Sequence, residues 1–170
     1  MGMRNVSMSR ALLAVVAAGV LLAALPVPAA AQGAGPYQYY SLTPCRIFDT
    51  RQSAGDTAGA PILATGTTRT FVVQGKCGVP VGAKAVSVNL TAVGPNGAGY
   101  LTLFPSGITR PVVSSLNFNV GEPAVGNGAL VPIADQGTYA EDLSVYTKVA
   151  ATNGTVHAVL DVTGYFGTAP

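Results

Sequence analysis

The chain has 170 residues, 49% of them hydrophobic and only 9% charged, with no Trp and a formal net charge of +2. Its few Lys and Arg form no basic run, so the electrostatic footprint needed to bind nucleic acid or anionic lipid is missing. A length of this order holds one domain with a core of its own.

The chain opens on a pattern that reads as a secretory signal peptide over residues 1–31. Arg4 and Arg10 make a positive start, and Ala11 to Leu25 is an unbroken apolar run. Pro26 and Pro28 break the apolar helix, and Ala29-Ala30-Ala31 offers small residues for cleavage before Gln32. The apolar run is shorter than the about 20 residues a membrane span needs. Removing residues 1–31 takes Arg4 and Arg10 away, leaving 139 of the 170 residues with seven basic and seven acidic side chains. The expected product is secreted, extracellular or cell-wall associated, with a flexible start at residues 32–36 and a single domain at residues 37–170.

From Tyr37 onward the pattern is β. Candidate strands are Tyr37 to Leu42, Arg46 to Thr50, Thr68 to Gln74, Ala85 to Val93, Gly99 to Phe104, Val113 to Asn119, Ala129 to Ile133, Leu143 to Lys148 and Thr155 to Phe166. The clearest is Ala85 to Val93. There Val86, Val88, Leu90 and Ala92 alternate with Ser87, Asn89 and Thr91, which puts one set inward and the other toward water. Gly94-Pro95-Asn96-Gly97 follows as a turn and predicts a hairpin with Gly99 to Phe104. Arg51 to Gly66 is a long polar loop. Pro132 demotes its strand to an edge or a bulge, because proline cannot donate to a ladder. No stretch after the leader keeps an apolar helical stripe over three turns. The fold class is therefore all-β: an antiparallel sandwich or jelly-roll-like arrangement of about eight or nine strands after an N-terminal signal helix.

Cys45 and Cys77 are the only cysteines. An even pair in an exported chain reads as one disulfide. Two cysteines and one His lack metal-ligand spacing, and no cofactor is expected.

The order of several blocks carries a resemblance. Pro44-Cys45-Arg46-Ile47-Phe48-Asp49-Thr50-Arg51 comes first, then Cys77-Gly78-Val79-Pro80, Ala85 to Thr91, Leu116-Asn117-Phe118, and finally Asp161-Val162-Thr163-Gly164-Tyr165-Phe166. This resembles the secreted bacterial β-domain family with a PCR-x-x-DTR start and a DVxGYF end. Such domains occur alone, in tandem or appended to exported hydrolases. The resemblance implies an accessory or surface module with no catalytic activity of its own and leaves the ligand open. Gly126-Asn127-Gly128 departs from the pattern and predicts a loose lead-in to the following strand.

Candidate sites follow from the rare charges. Asp161 sits among Val159, Leu160 and Val162, and a buried carboxylate needs a cation or N–H donors. Arg46 or Arg51 is expected to pair with Asp49 or Asp161 and so tie the first strands to the last. His157 and Asp161 do not form a catalytic dyad, because four strand residues put their Cα atoms about 13 Å apart. No Gly-x-Ser-x-Gly elbow exists. Glu141 and Asp142 are adjacent and expected to flank a turn; strand neighbours point to opposite faces, so they make a weak pair, and with Asp135 they are a thin basis for a calcium loop. Tyr37, Tyr39, Tyr139 and Tyr146 are candidate ligand contacts. Tyr40, Tyr100 and Tyr165 read as packing residues.

The expected function is an exported, non-enzymatic β-sandwich module acting in binding or assembly at the bacterial cell surface. A carbohydrate-binding module is the alternative, and a small secreted hydrolase ranks below both. Expected partners are a surface protein or a polysaccharide. Nucleic acid is not expected, nor a membrane after cleavage, and self-association through a strand edge is open to it.

Overall fold

The computed structural model describes residues 36–168 and Gly2. The expected signal segment and most of the expected flexible start lie outside the described residues. Residues 36–168 belong to one compact unit.

Among the described residues nine strands make two antiparallel sheets: β1 (Gln38–Asp49), β2 (Leu63–Ala64), β3 (Thr68–Phe71), β4 (Ala85–Val93), β5 (Gly99–Pro105), β6 (Leu116–Phe118), β7 (Ala124–Pro132), β8 (Leu143–Val149) and β9 (Thr155–Gly167). The first sheet runs β1-β9-β4-β7, with β2 also paired to β9, and the second runs β3-β8-β5-β6. The all-β sandwich expected from the alternating pattern is what forms, with no helix among the described residues.

The core follows from period two. The set Val86, Val88, Leu90 and Ala92 of β4 is fully or nearly buried, as are Val156, Ala158, Leu160 and Val162 of β9. Leu101 and Leu103 of β5 and Leu143 and Val145 of β8 face them from the second sheet. Phe48 of β1 stacks on Phe71 of β3 with ring centroids 3.8 Å apart, which locks one sheet to the other. Burying one such aromatic or aliphatic side chain is worth about 1.5–3 kcal/mol.

Three expectations about the strands need correction. The two segments expected at Tyr37 to Leu42 and Arg46 to Thr50 are one long strand interrupted by bulges. Opposite β9 the register jumps between Ser41 and Cys45 and again between Arg46 and Phe48. Pro44 sits in the first jump, where no ladder N–H is required. The second jump leaves Ile47 as an extra residue, so Ile47, Phe48 and Asp49 are buried in succession.

The expected hairpin between β4 and β5 does not form. β4 pairs with β7 and β9, whereas β5 pairs with β6 and β8. Gly94–Ala98 instead crosses between the sheets. Asn96 holds that crossing by accepting from Thr155 N at 2.8 Å and donating to the carbonyl of Asn153 at 3.3 Å. Local alternation marks a strand but not its partner.

The lead-in at Gly126-Asn127-Gly128 is not loose. β7 begins earlier than expected, at Ala124, and pairs with β4 over nine residues without a register shift. Gly126 faces Thr91 and Asn89, whose side chains would lie 3.2–3.3 Å from any Cβ placed there. β7 is an edge strand, as Pro132 predicts.

Arg51 to Gly66 is more ordered than a polar loop. It contains β2, and Ala58 forms a β-bridge with Asp49. Arg69 donates to the carbonyls of Pro61 and Ala60, and so pins the same segment to β3. Desolvation lowers the affinity of the Arg69 guanidinium for its proton.

Candidate functional site

The rare charges collect where β1 meets β9. Arg46 and Asp161 are register partners in the ladder. The guanidinium grips the carboxylate with two bonds, Nε to Oδ1 at 2.8 Å and an Nη donor to Oδ2 at 3.1 Å. Such a fork-to-fork pair is the strongest geometry for these groups. It is half exposed rather than buried, with side-chain exposures of 39% and 26%. The expectation that the carboxylate of Asp161 is buried is thus corrected. Asp161 projects from the outer face of the sheet, beside Asn89, its partner on β4.

Within this cluster Asp49 is the buried carboxylate, at 2% side-chain exposure. Because of the Ile47 bulge it lies beneath Arg51, three of whose groups donate to it. Arg51 N and Nε reach Oδ1 at 3.0 and 2.8 Å, and an Nη donor reaches Oδ2 at 2.6 Å. Arg46 adds a weaker contact at 3.5 Å. The hydrogen bonds from Arg51 hold the Asp49 carboxyl down at about 2, against the opposing cost of burial. They also raise the affinity of Arg51 for its proton, and Asp161 does the same for Arg46. The PCR-x-x-DTR segment and Asp161 of β9 therefore form one charge network: Asp161, Arg46, Asp49 and Arg51 are linked in that order across the β1–β9 seam.

The disulfide Cys45–Cys77 forms, with Cα atoms 5.7 Å apart. It ties the bulged part of β1 to the turn at Lys76-Cys77-Gly78. That turn requires left-handed backbone at Cys77, with φ of 53°, and at Gly78, with φ of 80°. Next to the disulfide lies a groove of about 760 Å³ walled by Cys45, Arg46, Asp56, Thr57 and Lys76. A second, of about 560 Å³, lies on the sheet face between Pro44, Arg46, Asn89, Asp161 and Thr163. Arg46 is common to both. Both grooves are open; in the first, Lys76 Nζ donates to the backbone carbonyl of Asp56 at 3.2 Å, and in the second the Arg46 and Asp161 side chains are bound to each other.

The structure separates His157 from Asp161. His157 Nδ1 is 3.1 Å from Thr50 Oγ1, and that hydroxyl accepts from Ala158 N at 2.9 Å. Thr50 Oγ1 thus joins the His157 ring to the β9 backbone through two hydrogen bonds, the direction of the one to Nδ1 following the imidazole tautomer. Thr50 is 1% exposed, so its hydroxyl is out of reach of a substrate.

The four candidate ligand tyrosines do not converge. Tyr39 packs at the far end of β1, against Phe166 at 5.1 Å and flat on Gly164. Tyr37 lies just before β1. Tyr146 is on β8 beneath Arg110, whose guanidinium sits 4.1 Å above the ring. Tyr139 is in the β7–β8 loop, packed on Gly107. Tyr40 and Tyr165 stack at 5.0 Å, and Tyr100 lies 6.1 Å from Tyr146.

Sequence reasoning placed Asp142 only as a weak partner of Glu141 and missed its burial. It is fully buried and has no cation beside it. Instead the amides of Val73 and Gln74 donate to its two oxygens at 2.9 and 2.8 Å. Gln74 is buried too, and bridges Gly82 N and the carbonyl of Ala134. Burial pushes the Asp142 carboxyl above the usual carboxylate range, partly countered by those amides. The neighbouring Glu141 is exposed and bonds to Thr70. Among the described residues no three His, Cys, Asp or Glu side chains are grouped to hold a metal.

No protein-family model matches the chain, and no curated protein matches it. Among solved structures, the chain is similar to one from the Cyanophage Pam1 capsid asymmetric unit, at 16% identity over 83% of this chain and 99% of that one, with a TM-score of 0.30. A likeness that distant carries no argument about function.

Proposed function

We propose that this chain is an exported, non-enzymatic β-sandwich module that acts by binding or assembly at the bacterial cell surface or in the extracellular space. The observation that carries this reading is how the rare charges are used. Asp49 and Asp161 are engaged by guanidinium groups, Asp142 by buried amides and His157 by a buried hydroxyl. These groups hold the seam and the core together, and none is paired with a second group across a cleft as acid and base. The disulfide is compatible with an oxidising compartment. The apolar leader and the resemblance to the PCR-x-x-DTR family support export to it.

The carbohydrate-binding alternative draws on the outer face of the first sheet. Asn89, Thr163 and the Arg46–Asp161 pair line a shallow groove there, suited to hydroxyl-rich ligands.

Sedimentation of the protein with cell envelopes, peptidoglycan, chitin and cellulose tests both readings. Binding or assembly predicts retention on envelopes or self-association. Retention on a purified glycan selects the carbohydrate alternative. Robust hydrolysis of esters or peptidoglycan that disappears in His157→Ala overturns the non-enzymatic reading.

A further inference from the structure

A β-sandwich of two open sheets has four edges, and an unguarded edge is a template for another strand. Three edges here are guarded. β1 carries two bulges, Pro44, the disulfide and the Ala58 bridge. β3 has four residues and carries Arg69, and β6 has only three residues. The fourth edge, β7, has none of these defences over most of its length. It is nine residues long, free of bulges and free of charge, with a proline only at its end. Among the described residues, no backbone group of Ala124–Pro132 bonds to anything but β4.

We infer, resting on the assembly arm of the proposed function, that β7 pairs antiparallel with β7 of a second copy about a two-fold axis at Gly128. Self-pairing is electrically free, because a chargeless strand meets itself without repulsion. This register overlaps all nine residues and keeps inward positions opposite inward ones. It also matches shapes. On the outer face Leu130, 66% exposed, comes opposite Gly126 of the second copy, which has no side chain to obstruct it. On the inner face Val125 of the second copy comes opposite Val131. There it enters a groove of about 460 Å³ lined by Phe104, Ile108, Val113 and Val131. Ile108 and Val113 are more than half exposed in the single chain. The paired edge is about 30 Å long. That places the contact at the low end of specific interfaces, so assembly should depend on concentration.

Sedimentation equilibrium of the full chain, with its disulfide formed, tests association, and cysteine cross-linking tests the register. Opposed Cα atoms in an antiparallel pair are about 4.5–5.5 Å apart, within disulfide reach. Gly128→Cys, where a Cβ meets only Val88 O at 4.0 Å, should form an intermolecular disulfide under mild oxidation. Ala124→Cys should not, since the two introduced thiols lie on strands whose Ala124 positions are about 27 Å apart. Mass mapping confirms that Cys45–Cys77 is retained. Leu130→Lys should weaken association at least tenfold. A protein that stays monomeric up to millimolar concentration, or cross-links equally at both positions, overturns the inference. If that monomer still sediments with envelopes, the binding reading survives and only the β7 pairing fails.

Discussion

Asp49→Asn isolates the charge network at the β1–β9 seam. The substitution keeps the size of the side chain but removes the charge beneath Arg51. The carboxyl falls from an ordinary 3.8 to about 2 on folding. At about 1.36 kcal/mol per unit, that is about 2.4 kcal/mol of stability at neutral pH. The sign follows from the direction. A depressed carboxyl stabilises the fold above its unfolded value and loses that contribution as pH falls through its folded value. Linkage leaves about 1.3 kcal/mol at pH 3 and about 0.4 kcal/mol at pH 2. For a domain of this size about 4 °C corresponds to each kcal/mol. Thermal melts followed by circular dichroism should therefore show Asp49→Asn melting about 8–10 °C below the parent at pH 7. The gap should halve near pH 3 and almost close at pH 2. High salt should narrow it only modestly, because the carboxylate is buried even though Arg51 is half exposed. A gap of equal size at pH 7 and pH 2 would refute the reasoning, since packing and not charge would then be responsible.

Asp161→Ala removes a half-exposed pair and should cost only about 0.5–1 kcal/mol, clearly less than Asp49→Asn in the same melts. Asp142→Ala strands two buried amides, those of Val73 and Gln74, and should lower stability by about 2–4 kcal/mol in urea titrations. Replacing Cys45 and Cys77 together by Ser opens a bridge of sequence separation 32. That should cost about 3–4 kcal/mol by guanidinium denaturation, and the parent under reductant should match it. Gly164→Ala puts a methyl where the Tyr39 ring lies. It should cost about 1–2 kcal/mol, and Tyr39→Ala in the same background should cost little more, because the packing is already lost.

Strands whose inner and outer faces differ were legible from residue order alone. Alternation over Ala85 to Val93 marks β4 and its buried face, since side-chain direction repeats every two residues whatever lies opposite. An even pair of cysteines behind an expected export leader likewise makes Cys45–Cys77 the expected bridge, and it forms. Which residues of the charge network meet was only half legible: the need for pairing was clear from Asp161 among valines, but not that Asp49 is the buried member. That depends on one extra residue, Ile47, in β1 opposite β9. A bulge is a relation between two strands and leaves no mark in either one.

Strand partnership belongs wholly to the tertiary structure. The short Gly94–Ala98 connection suits a hairpin, yet β4 and β5 lie in different sheets because β9 and β7 occupy both sides of β4. The burial of Asp142 is of the same kind, set by Val73 and Gln74 some seventy residues earlier. Composition and alternation thus determined an all-strand sandwich, because they act through neighbours along the chain. The order of strands, the seam and the open β7 edge were decided only in three dimensions, where hydrogen-bond partners distant in sequence compete for the same backbone.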